Sequence, residues 1–269
     1  MSDLLQLDFL RHALAASLLI ALMLSAMGVY VVVRRVVFVG AALAQVSAAG
    51  AALGILLGMH AEWVAMAATL VGVALLSIRP RRVVLPAEGA IGIGFALAST
   101  LAILIIAKTP GGEGDTLLLL YGNILAVPPR ELIELAFVSP LLILVHVLFR
   151  RQFFMVAFNP EISQAAGVRV QFWNFLLYMT LGVGIASGIH VAGSLLTFAY
   201  LVVPPLAGLM IARRAWHVLV FSLILAVAGT VLGIWGSVRW DLPTGPSIVA
   251  ALVLGSGAAW LIARLPLRT

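Results

Sequence analysis

Cysteine is absent from the 269 residues, and charge is scarce, with 16 Lys+Arg and 10 Asp+Glu making up 10% of the chain. The first absence excludes disulfides, thiolate metal sites and a cysteine nucleophile. No G-x-x-x-x-G-K-[ST] occurs, and the glycine-rich loop at 111–114 lacks the lysine, so the chain cannot hydrolyse ATP alone. HExxH is missing too, and Ser187 in GIASG has no GxSxG frame although His190 follows three residues on, which makes an intramembrane protease a poor reading. Every Asp and Glu falls in a loop or near a helix end, the deepest being Glu131 and Glu134 at the start of the fifth helix. Ion-coupled carriers place carboxylates within their helices, so secondary transport loses ground.

What is abundant is apolar surface. Hydrophobic residues make up 63% of the chain, and its mean hydropathy is +1.18. A soluble fold of this length could not hide that much. One span takes about 20 residues, so the expectation is an all-α polytopic bundle, a single transmembrane domain over 1–269 with about eight or nine transmembrane helices. Apolar runs place them near 11–33, 36–58, 62–78, 87–107, 132–149, 173–189, 191–212, 215–236 and 246–263. The first run, from Ala13 to Val33, is too long for a signal-peptide core and reads as a retained helix. The stretch 115–127 is apolar but too short to span and reads as a re-entrant or surface helix.

The net charge of +6 is carried in short clusters between apolar stretches, a pattern of topology and lipid contact and not of nucleic-acid binding. With the amino terminus outside, Arg34, Arg35, Arg79, Arg81, Arg82, Arg150, Arg151, Arg169, Arg213, Arg214, Arg264 and Arg268 fall inside, and only Arg11, Lys108, Arg130 and Arg239 fall outside. The positive-inside bias therefore predicts amino terminus out and carboxyl terminus in, in a bacterial cytoplasmic membrane.

Three segments depart from plain lipid-facing helix. The second helix carries Gly50, Gly54 and Gly58 on one face, which reads first as close packing, and its polar Gln45 and Ser47 should face the bundle interior or a pathway. The seventh carries Pro204 and Pro205, which remove two backbone donors and predict a kink or unwinding, in a packing kink or a transport path alike. In the connector after Arg150, FNPEISQAAGVRV predicts a short surface helix with Asn159 as cap, Pro160 at its first position, Glu161 matching the dipole and Gly167 ending the turn.

Among the histidines, His12, His60 and His217 read as interfacial groups and His146 as a bundle-facing, hydrogen-bonded residue. His190 is the strongest histidine candidate for a pathway. Asp115 is equally suited to capping a short helix and to touching substrate. Trp173, Trp216, Trp240 and Trp260 lie near helix ends and read as interface anchors.

Five ordered segments resemble the membrane permeases of ABC importers for zinc and manganese. They are GVYVVVRR from Gly28 to Arg35, G-x-A-L-x-x-x-x-x-x-G from Gly40, Asp115 seven residues before Gly122, FNPE..QAAG from Phe158 to Gly167, and VAGSLLTFAYLVVPP from Val191 to Pro205. The resemblance runs nearly end to end. It implies a type II ABC importer-like fold and a homodimer or a pair with a similar permease. It also implies an extracytoplasmic solute-binding protein, a cytoplasmic ABC ATPase dimer, and no cofactor. It implies that 158–170, with Asn159, Pro160, Glu161, Ala165 and Gly167, is the coupling segment seated on the ATPase. The chemistry of the residues themselves makes Gln45, Ser47, Asp115, His190 and Pro204 the candidates for the translocation path.

One departure bears on cargo. The family's second helix commonly reads GDALSHA, whose Asp and His at i, i+4 share a face and grip a divalent ion. The matching positions here are Ala41 and Gln45, which leaves the usual metal site absent. The leading expectation is divalent metal import through a weaker or relocated site, with Asp115 and His190 as outer candidates. The alternatives are a metal chelate or other small polar solute, ligands supplied by a partner permease, or a secondary transporter.

Overall fold

The computed structural model describes residues 8–77, 87–108 and 124–264. Asp115 and most of the 115–127 stretch lie outside them; of that stretch, Ile124–Ala126 forms a single 3-10 turn. Among the described residues the regular structure is helical, with no strand: α1 (Asp8–Val33), α2 (Val37–Leu56), α3 (Ala61–Ser77), α4 (Ala87–Ile106), α5 (Pro129–Leu148), α6 (Arg150–Phe158), α7 (Pro160–Ala165), α8 (Val170–Ile211), α9 (Ala215–Trp240) and α10 (Thr244–Arg264).

Seven of these helices are long and apolar enough to cross a membrane, α3 being shorter. The chain is a multi-pass membrane protein. At 1.5 Å per residue the 42 residues of α8 would extend about 63 Å, twice the hydrocarbon thickness. The chain resolves this at Gly193, which holds φ 78 and ψ 167, a conformation open in practice only to glycine. A Cβ on Gly188 would lie 3.0 Å from the Thr197 hydroxyl, whereas nine residues of straight helix would put them about 13 Å apart. The helix therefore folds back on itself. This reversal separates the two expected spans at 173–189 and 191–212, three residues beyond His190.

Of the kink or unwinding expected at Pro204 and Pro205, the unwinding does not occur. Gly193 is the only residue in α8 with non-helical backbone angles, and both prolines are buried inside the helix. The reason lies in α1. Pro204 frees the Tyr200 carbonyl, and Ser25 Oγ donates to that oxygen at 3.1 Å. Pro205 frees the Leu201 carbonyl, which lies against Gly28, where a Cβ would collide with it. A hydroxyl and a missing side chain thus accommodate the two freed acceptors without unwinding the helix.

Helix α8 is the hub, packed against α1, α2, α3, α9 and α10. Tyr200 is fully buried and its hydroxyl meets Thr230 of α9 at 2.6 Å. On α2, Gly50 and Gly54 press against Ala65 and Ala61 of α3, the packing expected of small residues. Gly58 leaves that stripe: α2 ends at Leu56, and Gly58 at φ +64 closes the turn as Met59 N–H reaches the Gly54 carbonyl at 2.9 Å.

Candidate functional site

Four elements converge at one end of the bundle. Helix α2 finishes there, α3 and α5 begin there, and α8 arrives there just before reversing at Gly193. Glu62 and Glu131 stand in the first turns of α3 and α5, where the positive end of the helix dipole favours a carboxylate. Between these elements lies a cavity of about 610 Å³, whose polar lining comes from Ser47, Glu62, Glu131, Glu134, Ser187 and His190.

His190 is the centre of this group. Its Nε2 lies 3.3 Å from Glu131 Oε1 and 3.5 Å from Glu62 Oε1, so one imidazole joins the starts of two other helices. The three side chains are partly shielded, 34%, 22% and 37% exposed for His190, Glu131 and Glu62. Glu134 pairs with Arg130 at 3.1 Å. On the α2 wall, Ser47 is fully buried and its Oγ has no hydrogen-bond partner. Among the described residues, no three His, Cys, Asp or Glu side chains are already arranged to hold a metal ion.

Of the residues expected along a path, Ser47 and His190 do line this cavity. Gln45 does not line it; it is half-buried on α2, about 200° around the helix from Ser47. Pro204 is buried in the packing of α8 and Asp115 lies outside the described residues. Ser187 shares the cavity, but His190 Nε2 is turned to carboxylates. Glu62 and Glu131 were not singled out as partners of His190 by sequence. The signal was present, since both open a helix at the end where His190 closes one.

The opposite end holds the connector. Asn159 Oδ1 accepts from the Glu161 and Ile162 backbone N–H groups, each at 3.1 Å, with Pro160 at the first helical position. Gly167 at φ +79 ends the turn, and Val168 N–H reaches the Ser163 carbonyl at 3.0 Å. Every expected capping feature of α7 is present. Ser163 is its one buried residue, and Phe158 and Ile162 expose 68% and 66% of their surface.

Helix α6, which the sequence reading leaves as connector, buries Phe153 in an aromatic cluster. Tyr30 of α1 and His146 of α5 lie 5.9 and 5.0 Å from Phe153, and Trp173 of α8 lies 5.8 Å from it. His146 is buried with Nδ1 2.9 Å from the Leu142 carbonyl, as expected of a bundle-facing imidazole. Trp173 is half-buried in this cluster, whereas Trp216 and Trp240 are each 63% exposed. Both α5 and α8 therefore run from the cavity to the base of α6 and α7.

Comparison with known proteins agrees with this architecture. The chain is 26% identical over 246 residues to the manganese import system permease protein ScaB of Streptococcus gordonii, covering 91% of this chain and 88% of that protein. It is 27% identical over 252 residues to the manganese transport system membrane protein MntB of Synechocystis, covering 92% and 81%. The solved structure of PsaBC from Streptococcus pneumoniae in complex with Fab superposes with a TM-score of 0.84 at 23% identity, over 98% of this chain and 94% of that one. The sequence profile of the ABC 3 transport family matches residues 6–259, and the chain belongs to that family.

Proposed function

We propose that this chain is the transmembrane subunit of an ATP-driven importer for a divalent transition metal, manganese or zinc. It forms the translocation path and leaves ATP hydrolysis to a partner. One observation carries the reading: a histidine and carboxylate cavity and a self-capped, exposed helix occupy opposite ends of one bundle, joined by α5 and α8. The roles of these relatives in manganese import support the cargo.

In this reading the amino terminus is outside and the carboxyl terminus inside the cytoplasmic membrane, so the cavity opens outward and α7 faces the cytoplasm. The segment 158–170 is the coupling element. Asn159, Pro160 and Gly167 shape its backbone, Glu161 and Ala165 lie on its exposed surface, and Phe158 and Ile162 supply apolar contact to a cytoplasmic ABC ATPase dimer. Substrate arrives from an extracytoplasmic solute-binding protein, passes His190 and Ser47, and moves between two permease copies, with Gln45, Asp115 and Pro204 as further path residues proposed from sequence.

Purification from cells expressing the neighbouring ATPase should yield a stable complex whose ATP turnover depends on α7. Failure of any ATPase to bind, with the chain acting as a lone carrier, would contradict the reading.

A further inference from the structure

The geometry points to a divalent-cation site in the cavity formed by His190 Nε2 and the carboxylates of Glu62 and Glu131, displaced from the second-helix positions that are Ala41 and Gln45 here. The proposal rests on the import reading and names where that cargo is held.

Charge is the first ground. Glu62, Glu131 and Glu134 carry three negative charges into one partly shielded pocket, against Arg130 and one histidine. Arg130 is already engaged with Glu134, and both lie toward solvent, with 74% and 49% of their side chains exposed. The two less exposed carboxylates thus share a single imidazole. Even with that ring protonated the pocket keeps an excess negative charge, and a partly shielded carboxylate is stabilised by a cation beside it.

Spacing is the second. Nitrogen and oxygen ligands about 2.1 Å from a tetrahedral metal stand about 3.4 Å apart, and about 3.0 Å apart at right angles. The observed separations of 3.3 and 3.5 Å fall beside the tetrahedral edge and are long for a charge-assisted hydrogen bond. As it stands, the imidazole nitrogen lies between the two carboxylates. Rotation about the side chains of Glu62 and Glu131, each carried in the first turn of its helix, turns that shared contact into a cation-centred one.

The donor set is the third. One imidazole and two carboxylates suit a borderline or hard divalent ion such as zinc or manganese and offer nothing to a soft monovalent one. Ser47 Oγ, fully buried on the facing α2 wall and without a partner, supplies a further oxygen at the same cavity. Ser47, Ala51 and Ile55 lie at i, i+4, i+8, so the wall they form leads from the mouth toward the bundle interior.

The test uses the full chain in detergent with its ATPase partner. Mn(II) binding is followed by the loss of the free-ion electron paramagnetic resonance signal, with Zn(II) as competitor. Glu131→Gln, Glu62→Gln and His190→Gln should each weaken Mn(II) binding at least tenfold while melting temperature and ATPase association stay unchanged. Wild type that binds neither ion up to millimolar concentration, or variants that bind like wild type, would overturn the site. The import reading fails separately: if metal binds as described but is not taken up when ATP is hydrolysed, the site stands and the transport role does not. A variant that unfolds is replaced by Glu131→Asp, which keeps the charge but shortens the reach and should also reduce affinity.

Discussion

Ser25 illustrates how one side chain decides the shape of a helix far from it in sequence. Its hydroxyl takes the Tyr200 carbonyl that Pro204 leaves without a backbone donor. Ser25→Ala should cost about 1 kcal/mol, near the upper part of the range for hydrogen bonds between membrane helices; a melting temperature equal to wild type in detergent would contradict that role. Gly28 acts by having no side chain, and Gly28→Ala should be more damaging, because its Cβ would meet the Leu201 carbonyl and push α1 from α8. At the positions of the missing family ligands, Ala41 and Gln45 are both half-buried one turn apart on α2. Introducing Asp at 41 and His at 45 together should tighten Mn(II) binding, and unchanged affinity would argue for another cargo.

The elements were largely legible because apolar length sets the number of membrane crossings, and eight of the described helices match the expected runs once the reversal in α8 is counted as two spans. The misses have a common cause in tertiary contact. A double proline predicts unwinding only if its freed carbonyls are not accommodated, and here α1 accommodates them with the Ser25 hydroxyl and the bare backbone of Gly28. The polar His190 marked the boundary between two spans, whereas the backbone turns at Gly193. Helix α6 escaped because a short amphipathic helix gives no span signal; its identity rests on burying Phe153 among aromatic rings from α1, α5 and α8. Helix α7, by contrast, was readable in full from Asn159, Pro160 and Gly167, since capping is local chemistry. Gly193→Ala should cost about 1–3 kcal/mol or prevent folding, because φ 78 with ψ 167 excludes a Cβ; a variant as stable as wild type would refute the reversal. Asn159→Ala should destabilise α7 by about 1 kcal/mol and lower ATPase affinity without altering metal binding at the other end.

Across the whole molecule, the two functional regions are linked by rods. From Glu131 at the cavity to His146 in the aromatic cluster, α5 runs about 22 Å, and α8 rises from Trp173 in the same cluster to His190. Under the proposed function, these packed helices are the route by which a displacement at α6 and α7 would reach the cavity. Residues 62, 131 and 190 are too far apart in sequence for any motif to join them; alternating topology is what brings them to one end. His190 was legible alone, and its carboxylate partners became visible only through the fold. The most direct measurement is radioactive manganese uptake into proteoliposomes holding this chain, with and without its ATPase and solute-binding protein. The account predicts accumulation only with ATP and the full set; accumulation by the chain alone, driven by a proton or sodium gradient, would contradict it.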